Sequence, residues 1–251
     1  MSTTVWLQSS DRKAGAAKGP QGAQGAQGPE GVPVRWEIRT NGTAQQGHSA
    51  GAGGGDAQSS TFAYIERDLS AGGNDAYRAA RKDGARSFLL WTDPQRGRLL
   101  ARVVTRSATK RESAVFEVLG GAGESLALIT HERAMSNGHG RSRWTVQQAD
   151  GRTAAGVKGN LFWWYVWWLL FPLWVAIAVG SLVSGSGDIA RMPRSIRWKA
   201  SGEEVLNWTD GGVEFALTTV ADGWDPRVTA ALAALVKSHE GWLGHPWDDG
   251  Q

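Results

Sequence analysis

No cysteine occurs among the 251 residues. Its absence excludes disulfides, Cys-ligated metals and a thiol nucleophile, and is neutral on compartment. Charge of one sign is also scarce. The 27 Lys and Arg stand against 24 Asp and Glu, a net +3 that does not imply a nucleic-acid partner. The five His residues show no HExxH or other metal-ligand spacing, and Gly120-Gly121-Ala122-Gly123 does not match GxGxxG. No cofactor, metal or catalytic residue is therefore assigned, and a non-enzymatic protein is expected. What the chain does have is 34 Gly and 14 Trp.

The first sixty residues contain twelve Gly and, as large aliphatics, only Val5, Leu7, Val32, Val34 and Ile38. Such a composition buries too little apolar surface to offset its ordering entropy. Residues 1–60 are accordingly expected to be a disordered, dispensable tail. Within them Gly19, Gly22, Gly25, Gly28 and Gly31 recur every third residue, with Pro20, Pro29 and Pro33 between them. This is a short collagen-like tract, either a linker or a trimeric stub.

From residue 61 onward, short β-like runs alternate with Gly-containing turns. Phe88–Trp91 leads through Gly97 to Leu99–Val104, and Ala114–Val118 through Gly123 to Leu126–Ile129. Trp144–Val146 leads through Asp150-Gly151 to Ala154–Val157, and Ile196–Trp198 through Gly202 to Val205–Trp208. Each block has the pattern of a hairpin. A short strand at Thr61–Ile65 and a short helix at Asn74–Arg81 precede them. The turn glycines Gly97, Gly123 and Gly151 lie 26 and 28 residues apart, and Gly202 follows 51 residues later. Excising the 23 residues Leu161–Val183 leaves 28, which predicts a hairpin array with an insertion.

That insertion, 161–183, contains no charged residue and no Asn or Gln. As a helix at about 1.5 Å per residue it would reach about 35 Å, enough for a hydrocarbon core of about 30 Å. Trp163, Trp164, Tyr165, Trp167 and Trp168 crowd its first third, where rings suited to a membrane interface belong. Pro172 splits the run, and two full spans would need about 40 apolar residues, so a kinked single pass and a shallow re-entrant or interfacial helix remain. Basic residues flank both ends, so the positive-inside rule chooses no direction. Just after the run, Arg191, Arg194, Arg197 and Lys199 form a cluster without an acid, a candidate contact for anionic lipid. A membrane location with the soluble part on the cytoplasmic face is the expectation.

Asp225-Pro226 followed by Arg227–Glu240 reads as a capped helix, with His239-Glu240 as its polar end. From Val228 to Val236 only Thr229 is polar, so this helix should be buried on all sides. Residues 242–251 read as a tail.

The hairpin units at Gly97, Gly123, Gly151 and Gly202, with the helix at 225–240 behind them, resemble the tubby C-terminal-like family. That family includes the phospholipid scramblases and the LURP-one-related proteins. The resemblance covers roughly 61–241 and implies a mainly β fold: a closed antiparallel barrel around a C-terminal helix, here with the apolar insertion added. The insertion and the lack of an acidic calcium-binding segment depart from the family, so scrambling and calcium dependence do not carry over. The expected function is a non-enzymatic membrane-associated domain that binds anionic headgroups or a membrane partner. The alternative is a single-pass sensor or assembly protein with separate N- and C-terminal soluble domains.

Overall fold

The computed structural model describes residues 2–9, 36–41, 59–109, 113–134, 141–159, 194–210, 215–239 and 246–248. Twelve strands follow one another: β1 (Thr3–Ser9), β2 (Trp36–Thr40), β3 (Ser60–Arg67), β4 (Phe88–Trp91), β5 (Leu99–Ala108), β6 (Ser113–Gly120), β7 (Ser125–Glu132), β8 (Arg143–Gln148), β9 (Thr153–Lys158), β10 (Arg194–Ala200), β11 (Glu203–Asp210) and β12 (Phe215–Thr219). Two helices join them, α1 (Gly73–Lys82) and α2 (Pro226–Ser238). Every strand pairs antiparallel with its sequence neighbours, and β1 pairs with β12, so the sheet closes into a barrel. Closure leaves no unpaired edge.

Alternation along the strands builds the interior. Ala63 and Ile65, Phe88 and Leu90, Ala101 and Val103, Phe116 and Val118, and Ile196 and Trp198 all point inward and are buried. Helix α2 fills the lumen. Asp225 accepts a hydrogen bond from the Arg227 backbone N–H (2.8 Å) and Pro226 opens the first turn, so the predicted start is the observed one. Val228–Val236 are buried all round, and α2 packs on β1 and β12 on one wall and on β5, β6 and β7 opposite. The helix ends at Ser238 with His239 as cap, two residues before the predicted end. Gly156 makes room for the lining: a Cβ there would stand 2.8 Å from Ile196 Cγ2. In the β10–β11 turn, Ser201 and Gly202 both have positive φ (51° and 92°), the two-residue hairpin geometry.

Several expectations need correction. Residues 1–60 are not wholly a tail, and the domain does not begin at residue 61. Strands β1 and β2 are staves of the barrel, with Val5, Leu7 and Ile38 buried. Their inward alternation is only a few residues long and is diluted by the Gly-rich sequence between them. Strand β12, Phe-Ala-Leu-Thr-Thr, also went unpredicted. Residues 242–251 are not simply a tail either, because Trp247 and Asp248 are each 1% exposed. Trp247 Nε1 donates to Ala234 O (3.0 Å), and its ring lies 4.8 Å from that of Phe88. The collagen-like tract and the insertion 161–183 lie outside the described residues. Among the described residues no helix is long and apolar enough to cross a membrane.

Candidate functional site at one mouth of the barrel

The up-and-down topology sorts the connections between two mouths. The turns at 92–98, 121–124, 149–152 and 201–202 lie at one, which we call the turn mouth, together with the start of α2. The other, the loop mouth, receives the connections 10–35 and 159–193, α1, the C-terminal end of α2 and the segment 246–248.

Charged and ionisable groups gather inside the loop mouth because the inward series of several strands ends in one. Ala63 and Ile65 are followed by Arg67, and Ala127 and Ile129 by His131. Ala154 and Gly156 are followed by Lys158, whose Nζ sits 5.3 Å from the Trp208 ring centroid. Arg86 enters just before β4. Arg67, Arg86 and His131 are all at least nine-tenths buried. Arg67 donates to Asn74 Oδ1 (3.0 Å) and lies over the Tyr77 ring at 5.4 Å. Arg86 donates to the backbone oxygens of Arg81, Ala85 and Ser238.

One buried carboxylate faces these cations. Asp248 Oδ2 accepts from the Tyr77 hydroxyl at 2.9 Å and lies 3.1 Å from Arg81 Nε and 3.2 Å from Arg86 Nε. Its second oxygen, Oδ1, is sealed from solvent without a hydrogen-bond partner. Burial, and then the Asp248 charge, pushes the Tyr77 hydroxyl well above its usual range, so it stays a donor. Burial lowers the Arg86 guanidinium, while Asp248 acts to raise it.

Two histidines adjoin this cluster. His131 stacks on Trp144 with centroids 4.1 Å apart and meets His239 edge-on at 4.9 Å. His239 Nδ1 lies 2.9 Å from Leu235 O. A carbonyl only accepts, so Nδ1 carries the proton, and Nε2 is a bare lone pair sealed from solvent. Burial, with Arg133, Lys158 and Arg86 nearby, pushes His131 down to about 3. Burial, with Arg86 and His131, holds His239 well below its ordinary value. Both rings are neutral at neutral pH.

The arrangement can bind an anion. It does not form a nucleophile–base pair, because the Nδ1 of His239 that lies 3.2 Å from Ser238 Oγ is already committed to Leu235 O. Gly47-His48-Ser49-Ala50-Gly51 spells GxSxG and Ser10–Lys13 spells SxxK. Both lie outside the described residues. Among the described residues no group of three His, Cys, Asp or Glu is placed to hold a metal.

Of the four residues predicted for lipid binding, Arg197 and Lys199 have described side chains. Arg197 and Lys199 are exposed on the outer face of β10, and Arg194 is its first residue, paired in register with Asp210. Arg197 and Lys199 therefore lie on the outer wall of the barrel and not inside its mouth. Arg197 shares a cross-strand row with Val157 and Arg143. Arg191 and the rings at Trp163, Trp164, Tyr165, Trp167 and Trp168 lie outside the described residues. The interior cations were missed because each is a lone residue in sequence. The signal was available in the parity of Arg67, His131 and Lys158 with the buried residues before them.

The flanks of the insertion are fixed. Strands β9 and β10 pair directly, Ile196 opposite Lys158, and the Gly159 N–H donates to Ser195 O at 3.0 Å. The chain therefore leaves and returns at one point on the loop mouth. Comparison of the chain with protein-family models, with curated proteins and with solved structures gave no match.

Proposed function

We propose that this chain is a non-enzymatic, tubby-like barrel that docks its loop mouth on an anionic membrane surface. The observation that carries this reading is the Gly159–Ser195 hydrogen bond, taken together with the charge-free run 161–183 between those residues. A segment whose two ends are a hydrogen bond apart has to enter and leave a bilayer from the same side. A run of 23 residues is too short for two spans, so it dips into one leaflet with its Trp cluster at headgroup depth. Arg143 and Arg197, exposed on the outer wall beside that mouth, then lie near the phosphate layer, where an exposed cation contributes about 1 kcal/mol of attraction to an anionic surface. The soluble barrel is assigned to the cytoplasmic face, and the partner is lipid, not nucleic acid.

The alternative, a single-pass protein with separate soluble domains, would place β9 and β10 on opposite sides of the membrane and break their ladder.

With no native Cys, single cysteines at Ser142 and Ser201 can be probed in intact cells with an impermeant maleimide. Equal protection of both is expected. Labelling of one alone would establish a single pass and overturn the docking reading.

A further inference from the structure

The contacts of Asp248 are unbalanced in geometry. Among the described residues, Arg81 and Arg86 meet its carboxylate, and Arg67 lies over the Tyr77 ring beside it. All three polar contacts to that carboxylate crowd onto Oδ2, and Oδ1 is buried without a hydrogen-bond partner. Arg86 Nε makes the ion contact but no hydrogen bond. A carboxylate offers one charge and two oxygens. A phosphate monoester carries about −1.5 to −2 and offers three acceptor oxygens, enough to meet Tyr77 Oη, Arg81 Nε and Arg86 Nε separately. Guanidinium groups suit that geometry better than ammonium groups do. A cavity of about 130 Å³ lies beside the same two side chains, between α1 and the start of β4, lined by Tyr77, Arg86, Ala76, Ala80, Ser87 and Thr105. Asp68 also borders it, but its carboxylate is engaged by Arg102 at 2.6 Å and by Ser70.

We propose that Tyr77, Arg81 and Arg86 form a phosphate-monoester site at the loop mouth, and that the chain's own Asp248 occupies it as a resident substitute. Binding of the phosphate displaces Asp248 and, with it, Trp247 from its place against Phe88 and Ala234. The site is thus masked by the segment 246–248 until a stronger anion arrives. The proposal depends on the docking reading only for the source of the phosphate, which that reading identifies as a lipid headgroup.

The test uses the full chain carrying Asp248→Asn, which removes the charge and keeps the shape. Inorganic phosphate should raise its thermal midpoint well above the effect of sodium chloride at equal ionic strength. It should also bind about tenfold more tightly than to the native chain, the factor by which a site about 90% self-occupied is masked. The double variant with Arg86→Met should lose both effects. If phosphate and chloride act alike on Asp248→Asn, the site does not exist. Should that variant not fold in chloride, phosphate has to restore folding, and failure to do so overturns the proposal. An otherwise native chain with Asp249→Cys and a fluorophore there gives a second readout. Its anisotropy should fall as phosphate frees the segment, and a constant signal overturns displacement.

Vesicles separate the sources. Binding of Asp248→Asn to phosphatidic acid over phosphatidylserine at equal surface charge supports a lipid phosphomonoester. Equal binding to both, with the phosphate effect intact, supports a soluble ester and overturns the lipid source. No binding to any vesicle, with the phosphate effect intact, overturns membrane docking and leaves the site standing.

Discussion

At the scale of single residues, the loop mouth couples stability to pH through two histidines. Their unfolded-state value is about 6.5, whereas burial among Arg86, Arg133 and Lys158 pushes folded His131 down to about 3. Below pH 6.5 the unfolded chain takes up a proton that the folded one refuses, so stability is full above that pH and falls as pH drops toward 3. Two pH units into that window amount to about 3 kcal/mol for His131. His131→Phe keeps the stacking on Trp144 and removes the titration. Urea unfolding should therefore show the variant gaining on the native protein between pH 7.5 and 4.5; parallel curves would rule the coupling out. Leu232, 0% exposed, tests the lumen in the same way. Leu232→Asp puts a carboxylate in an apolar site and should cost several kcal/mol or force protonation. Native spectra with an unchanged urea midpoint would place α2 outside the barrel.

At the scale of elements, closure is the property at stake. Without β1 and β2, strands β3 and β12 become open edges, and the lumen loses Val5, Leu7 and Ile38. Deleting residues 1–41 should therefore abolish the cooperative thermal transition or give aggregates. The opposite result, an unchanged midpoint, is what a dispensable tail would show. Hairpins β4–β5, β6–β7, β8–β9 and β10–β11 were readable because each pairs local strands across a turn that contains glycine, left-handed at Gly123, Gly151 and Gly202. The β1–β12 pairing joins Thr3 to Thr219 and carries no local mark.

At the scale of the whole molecule, the prediction is that the barrel folds without the insertion. Gly159 and Ser195 are already held together, so replacing 161–183 with a short Gly-Ser linker adds little loop-closure entropy. The excised protein should unfold at the native midpoint and no longer float with anionic vesicles. A collapse of the midpoint would mean that the insertion packs on the barrel. Undiminished flotation would move membrane attachment to the mouth alone.

The sequence by itself determined the period-two strands, the glycine turns, the capped helix from Asp225 and the apolar insertion. Each depends on neighbours within a few residues, and φ restriction, alternation and capping act at that range. Tertiary structure alone decided that β1 meets β12 and that Arg67, Arg86, His131, His239 and Asp248 share one mouth, whereas the pairing of β9 with β10 across the insertion was already implied by the spacing of the turn glycines. The β1–β12 ladder joins Thr3 to Thr219, and Asp248 meets Tyr77 and Arg86 across most of the chain. They are set by closure of the sheet around α2, which no local pattern encodes.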